Sequence, residues 1–169
     1  ILGDQQQKQY SASLELGSVR LIETFPHSNP PTSEELRVSR QWVNQFLQEQ
    51  VCPKLDAILS EQKKRSGSGV ILVGTGGTAT ILARMESHLN GYDRAQIENT
   101  RISYERARWH AETLWGLPLE KRKIIVGLPS NRADVILGGV VIYEVVMGVF
   151  GFSELRISTR GLRFAALLT

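Results

Sequence analysis

Val70-Ile71-Leu72-Val73-Gly74-Thr75-Gly76-Gly77-Thr78 is the stretch on which the fold turns. Four apolar residues with no polar interruption read as a buried strand. Gly74, Gly76 and Gly77 then form a turn that needs positive φ angles or room for another group to come close to the backbone. Thr78 is a fitting helix cap, and Ala79, Ile81, Leu82 and Met85 give the following helix an apolar face. Strand, glycine turn and helix N-terminus together aim several backbone N–H groups at one spot, a seat for phosphate. A tight strand-to-helix turn with no ligand reads the same way locally. Two familiar glycine loops can be set aside. No Lys follows these glycines as a Walker loop requires. The dinucleotide fingerprint meets Ala79 at its third glycine and has no acidic residue at the expected distance after a second strand.

Outward from this centre, 169 residues suffice for one domain with a real core. At 41% hydrophobic and 22% charged residues the composition is that of an ordinary globular protein. A net charge of +3 implies no broad nucleic-acid-binding face. Cys52 is the single cysteine, so no internal disulfide forms, which suits a reducing compartment. There is no signal peptide, repeat or low-complexity tract. Ile1-Leu2-Gly3-Asp4, without an initiator Met, looks like a strand running into a turn, and the chain is expected to be a fragment of a longer protein.

Taken in order, Ile1-Leu2 and Ser11–Leu16 read as the two arms of a hairpin around a polar tip. In the segment that follows Gly17, Arg20 and Glu23 stand one helical turn apart and suggest a local pair on a solvated face. Thr32-Ser33-Glu34-Glu35 is a capping box opening a helix whose apolar face includes Leu36, Val43, Phe46, Leu47 and Val51. Pro53 should kink or restart it, and Lys63-Lys64-Arg65 marks a helix C-terminus. Asn90-Gly91 is expected to end the central helix. A further helix runs from Tyr104 to about Trp115 and stops at Gly116. Ile124–Leu128 is a brief strand or a packing segment. His27, His88 and His110 have no ligand spacing with one another or with Cys52, so a zinc site is not expected. Asn131-Arg132-Ala133-Asp134 opens the most apolar segment, Val135–Phe152, whose only charge is Glu144. That central charge and Gly138-Gly139 argue for a buried helix closely approached by another backbone, and against a membrane span. Leu155–Ser158 is a last strand, 159–161 a turn, and 162–168 a terminal helix. The sum is an α/β layered domain with a mixed sheet flanked by helices.

Four motifs now stand in order: L-x-L-G-S-V-R-L-x-E (Leu14–Glu23), V-G-T-G-G-T-A-T (Val73–Thr80), G-L-P-S-N-R-A-D-V-I (Gly127–Ile136) and S-x-R-G-L-R (Ser158–Arg163). Together they resemble the exopolyphosphatase / guanosine pentaphosphate phosphatase family of the actin–hexokinase–Hsp70 superfamily. The resemblance covers the whole chain, 1–169, as the single C-terminal ribonuclease-H-like lobe of a two-lobed catalytic core. It implies hydrolysis of terminal phosphoanhydrides, in inorganic polyphosphate or guanosine pentaphosphate, with a divalent cation, usually Mg²⁺, in the cytoplasm. By the same resemblance Gly74, Thr75, Gly76, Gly77 and Thr78 line the interlobe cleft. Arg132 binds substrate phosphate, as a guanidinium fork suits. Asp134 holds Arg132 or the helix start, and Arg20 is a supporting residue. The family's D-x-G-G-G-S-T-E motif and its catalytic glutamate are not in this sequence. The chain alone is therefore expected to be inactive, with the N-terminal lobe as its missing partner. Phe164-Ala165 departs from the Glu-Gly of many relatives. Dimerisation of the parent chain stays open. The competing expectations are a sensor of polyphosphate or nucleotide without turnover, and a kinase of the same superfamily, against which the R-A-D and S-x-R-G-L-R motifs speak.

Overall fold

The computed structural model describes residues 1–3, 8–65 and 69–161. It opens with a short antiparallel pair, β1 (Leu2–Gly3) and β2 (Lys8–Tyr10). The returning arm thus comes earlier than the alternation of Ser11–Leu16 suggested. Those residues have no sheet to bury their larger members, and Leu14 is exposed. Gly17 then ends the extended chain and α1 (Ser18–Thr24) begins. Arg20 does not meet Glu23; its partner is Glu15, at 3.1 Å and largely in solvent.

The next two helices, α2 (Ser33–Gln50) and α3 (Cys52–Arg65), meet where Pro53 restarts the chain in the first turn of α3. The capping box that opens α2 is formed on both sides. Glu35 N–H donates to Thr32 Oγ1 at 3.2 Å, and Thr32 N–H donates back to Glu35 Oε2 at 2.6 Å. Ser28 N–H adds a third bond at 2.8 Å.

A strand and helix follow, β3 (Leu72–Thr75) and α4 (Gly76–Glu86), then α5 (Arg94–Asn99), β4 (Arg101–Ser103), α6 (Tyr104–Trp115) and the four-residue α7 (Leu119–Arg122). A single 3₁₀ turn at Ser130–Arg132 leads into α8 (Ile136–Phe150), and β5 (Glu154–Ser158) closes the described chain. The three strands form one mixed sheet in the order β3-β5-β4. β3 runs parallel to β5, with Leu72 opposite Leu155 and Gly74 opposite Ile157, and β4 runs antiparallel to β5. Ile124–Leu128 is a packing turn, with Leu128 buried and Ile124 out in solvent. The expected terminal helix at 162–168, and with it Arg163, lies outside the described residues.

Two expectations about the central unit change. β3 is not buried on both sides: it lies at the sheet edge, where Ile71 and Val73 are about half exposed, at 49% and 51%. An apolar groove of ≈ 1080 Å³ runs beside it, walled by Leu47, Val51, Leu55, Leu59, Ile142 and Val146. Nor does Asn90-Gly91 end α4. The helix stops at Glu86, His88 takes the left-handed conformation (φ 51°), and Leu89 N–H closes back on Arg84 O at 2.9 Å. That is the closure usually given to glycine.

The core is built around α8. Its apolar residues on every side, among them Leu137, Val140, Val141 and Met147, are covered by α1, α2, α4 and α6. This all-round burial is what an all-round apolar sequence asks for. Its one charge, Glu144, is buried against Arg40 of α2, with Nη2–Oε1 at 2.7 Å and Nε–Oε2 at 2.9 Å. Burial pushes the Glu144 carboxyl up from its ordinary value, while Arg40 pulls it back. Among the described residues no helix is long and apolar enough to cross a membrane.

Gly138 and Gly139 allow close approach in α8. A Cβ at Gly138 would overlap the Ser18 carbonyl oxygen, and one at Gly139 would come within 2.5 Å of the Thr78 side chain. Gly138→Ala should therefore destabilise the protein by about 1–3 kcal/mol despite alanine's better helix propensity, read by urea denaturation; an unchanged midpoint would show that α1 simply moves aside. A second expectation concerns acid. Hydrogen bonds from the Thr32 and Ser28 backbone N–H groups pull the Glu35 carboxyl down from 4.5 to about 2. Its contribution is complete above 4.5 and is lost as pH falls toward about 2. Glu35→Gln should flatten that part of the stability–pH curve; an unaltered acid limb would argue against it.

Candidate functional site

Gly138 and Gly139 are consecutive, so the parts of the chain that they admit are neighbours. Ser18, the first residue of α1, rests on one, and Thr78, in the first turn of α4, rests on the other. Three helices thus begin at one corner: α1, α4 and α8 itself. Their starts differ from those of three of the other helices. α2, α5 and α6 each carry a side-chain cap, from Thr32, Asp93 and Ser103. At the corner, the cap positions Gly17, Thr75 and Val135 provide none. First-turn N–H groups have no partner within their own helix. At α4 the positive end of the helix coincides with the exposed Gly76-Gly77 turn.

The glycine turn has the shape this needs. Gly76 adopts φ +84°, and α4 starts three residues sooner than a Thr78 cap would place it. Thr78 instead lies inside the first turn with its side chain against Gly139. Gly74 is buried: a Cβ there would stand 3.0 Å from the Tyr143 ring and 3.1 Å from Ala79 Cβ. Tyr143 supports the turn from beneath, its hydroxyl 3.4 Å from the Thr75 carbonyl, and burial raises its pKa. Thr75, Gly76 and Gly77 are exposed.

The segment carrying Arg132 runs back along α4. It starts at Gly127, where a Cβ would be 2.5 Å from the Arg84–Met85 backbone near the end of that helix, and reaches Gly139 beside Thr78. Arg132 stands between these points in the 3₁₀ turn, exposed, with no ion-pair partner among the described residues. Asp134 does not pair with it. Its Oδ1 accepts the Val135 N–H at 2.8 Å, at the start of α8. Arg20 belongs to the same corner through α1, but its guanidinium is engaged by Glu15.

Charges elsewhere are committed. Glu86 accepts from Arg106 at 2.9–3.1 Å and faces His110 Nε2 at 2.7 Å. Burial lowers the pKa of His110, with Glu86 opposing it. Arg106 also lies 4.2 Å from the Trp109 ring centroid. Neither this cluster nor the support from Tyr143 had a signal in the sequence, since the first joins α4 to α6 across 24 residues and the second sits within an apolar run.

The donors at the corner suit an anion. A hard divalent cation takes a set of oxygen ligands. The one carboxylate in the Arg132 turn is already hydrogen-bonded, and no three His, Cys, Asp or Glu side chains among the described residues cluster to hold a metal. These residues therefore do not fit the Mg²⁺ that the resemblance implies.

Known proteins sort with this geometry. Exopolyphosphatase 2 of Mycobacterium tuberculosis (strain CDC 1551 / Oshkosh) is 31% identical over 134 residues, 79% of this chain and 39% of that protein. The bifunctional 3-dehydroquinate synthase/phosphatase of Fusobacterium nucleatum is 29% identical over 170 residues, 99% of this chain and 24% of its own length. Among solved structures, a PPX-GPPA enzyme of Aquifex aeolicus superposes with a TM-score of 0.81 at 28% identity, over 98% of this chain and 51% of that one. An exopolyphosphatase of Cytophaga hutchinsonii shares the fold, with a TM-score of 0.75 at 21% identity over 99% of this chain and 51% of its own. The chain thus spans about half of these solved structures, and less of the two curated relatives. The model of the Ppx/GppA phosphatase family matches residues 1–168, and the chain belongs to that family.

Proposed function

We propose that this chain forms one wall of the interlobe cleft in a cytoplasmic phosphohydrolase that removes terminal phosphate from inorganic polyphosphate, or from guanosine pentaphosphate. The observation that carries this reading is the corner where α1, α4 and α8 begin without side-chain caps, with the exposed Arg132 on the segment leading into it. The exopolyphosphatase name of the Mycobacterium relative adds weight to polyphosphate over the nucleotide.

In this reading the N–H groups of the Gly76–Thr78 turn receive the non-bridging oxygens of the terminal phosphate. Arg132 takes two of those oxygens through its planar fork. Both act by position and charge, which phosphoryl transfer requires because the charge on the transferring group spreads over its oxygens. Water attacks phosphorus, the bridging P–O bond breaks, and the shortened chain leaves with that oxygen. The carboxylates that orient the water and hold a divalent cation are assigned to a partner lobe of a longer protein. The Arg132 turn itself offers one carboxylate, Asp134, whose Oδ1 accepts the Val135 N–H. A dimer of the parent protein is compatible with this arrangement.

Phosphate release from long-chain polyphosphate and from guanosine pentaphosphate, with Mg²⁺ present, tests the proposal. This chain alone should release none, and a longer protein with both lobes should be active. In the longer protein Arg132→Ala should lower kcat/KM by about 10–100-fold, the loss expected for one charge-assisted phosphate contact. Turnover by this chain alone would overturn the division of labour. Binding without turnover in the longer protein would favour a sensor.

A further inference from the structure

Lys121, Arg122 and Lys123 look alike in sequence, a basic triplet at the end of a short helix. The structure separates them. Lys121 and Lys123 face solvent, whereas Arg122 is 1% exposed. Its guanidinium is held by carbonyls alone. Nη1 donates to Leu117 O at 2.5 Å and to Leu114 O at 3.5 Å, and Nε donates to Ala133 O at 2.8 Å. No carboxylate pairs with it among the described residues, and burial lowers its pKa while the charge of Asp134 opposes the change. A buried cation without a counter-ion is costly and needs a reason.

Half of the reason is plain. Leu114 lies in the last turn of α6 and Leu117 just beyond it, at the negative end of the helix, which favours a cation. The third acceptor has no such role. Ala133 stands between Arg132 and Asp134, and it is fully buried. At the other end of this segment Gly127 is pressed on the α4 backbone and Leu128 is buried. Between these anchors Ser130, Asn131 and Arg132 are all exposed, in a turn with two internal backbone bonds: Arg132 N–H to Pro129 O at 2.9 Å and Ala133 N–H to Ser130 O at 3.3 Å.

We propose that Arg122 is a positioning residue: by clamping the Ala133 carbonyl to the end of α6, it fixes the chain one residue beyond Arg132 and so aims Arg132 at the bound phosphate. This rests on the reading of Arg132 as a phosphate ligand. A rigid fork is what the task needs, since Nε and Nη1 tie two separate pieces of chain in one plane. A lysine offers a single mobile ammonium and cannot hold both at fixed geometry. Misplacement of a contacting group by an ångström is enough to cost up to about a hundredfold in rate.

The test is a double-mutant cycle in the full protein, with kcat/KM for long-chain polyphosphate and the melting temperature measured for wild type, Arg122→Lys, Arg132→Ala and the double variant. Arg122→Lys should cost about tenfold in kcat/KM, and less than about twofold once Arg132 is already alanine, because only a residue acting through Arg132 loses its effect with it. The same factor in both backgrounds would overturn the proposal and leave Arg122 a cap of α6. If Arg132→Ala alone changes nothing, the phosphate reading falls first and this one with it. Should Arg122→Lys prove too unstable to assay, Arg122→Gln, which keeps an amide donor without the charge, takes its place in the same cycle and is judged by the same ratio.

Discussion

Two adjacent hydrogen atoms, where side chains would stand on Gly138 and Gly139, are the constraint on which this structure depends. They let the start of α1 and the first turn of α4 settle on α8 at backbone distance. Neighbouring residues on a helix point about 100° apart, so two incoming elements fit side by side without contending for one groove. Everything at the corner follows from that. Three helix starts meet on one turn of α8, and the segment with Arg132 passes along α4 to reach α8. A methyl group on either glycine would separate the elements and disperse the donors.

Much of this was legible in the chain. The glycine turn after an apolar run, the Thr32–Glu35 box and the all-round apolar α8 are local patterns with local causes, and each folds as its residues dictate. Gly138-Gly139 in an otherwise bulky helix announced close approach, though not what approaches. The misses have a common origin in tertiary context. Ser11–Leu16 alternates like a strand, but no sheet receives it, and Lys8–Tyr10 pairs in its place. β4 is three residues long and exists because β5 lies beside it. His88 takes a conformation for which Gly91, three residues on, seemed the natural candidate. Arg122 could not be told from its neighbours, because its burial depends on where the carbonyls of Leu117 and Ala133 fall. The site residues are a list given by resemblance; that the starts of α1 and α4 meet on one turn of α8 is information that only packing holds.

The placement of charge divides the molecule in two. Away from the corner, several charges pair with one another: Arg40 with Glu144, Arg106 with Glu86, Arg108 with Glu112. Such pairs contribute little net stability when exposed, and when buried they serve more to penalise other arrangements than to strengthen this one. Arg132, by contrast, is exposed and has no ion-pair partner among the described residues. A surface of modest net charge can therefore present one strongly directed field, which the figure of +3 conceals.

The half-exposed flank of β3 bears on the behaviour of the chain in solution. Val70 to Thr75 contains no charge and no proline, the devices by which edge strands usually discourage unwanted pairing. Its length, β-branched content and neutrality are those of segments that template cross-strand assembly. Kept by itself at high concentration, the chain would meet its own kind along this edge, and the colloidal fate of the preparation would be decided there, well before the stability of the core is tested. A companion strand laid along β3 and the adjoining apolar groove would remove that hazard, and would brace the glycine turn from behind.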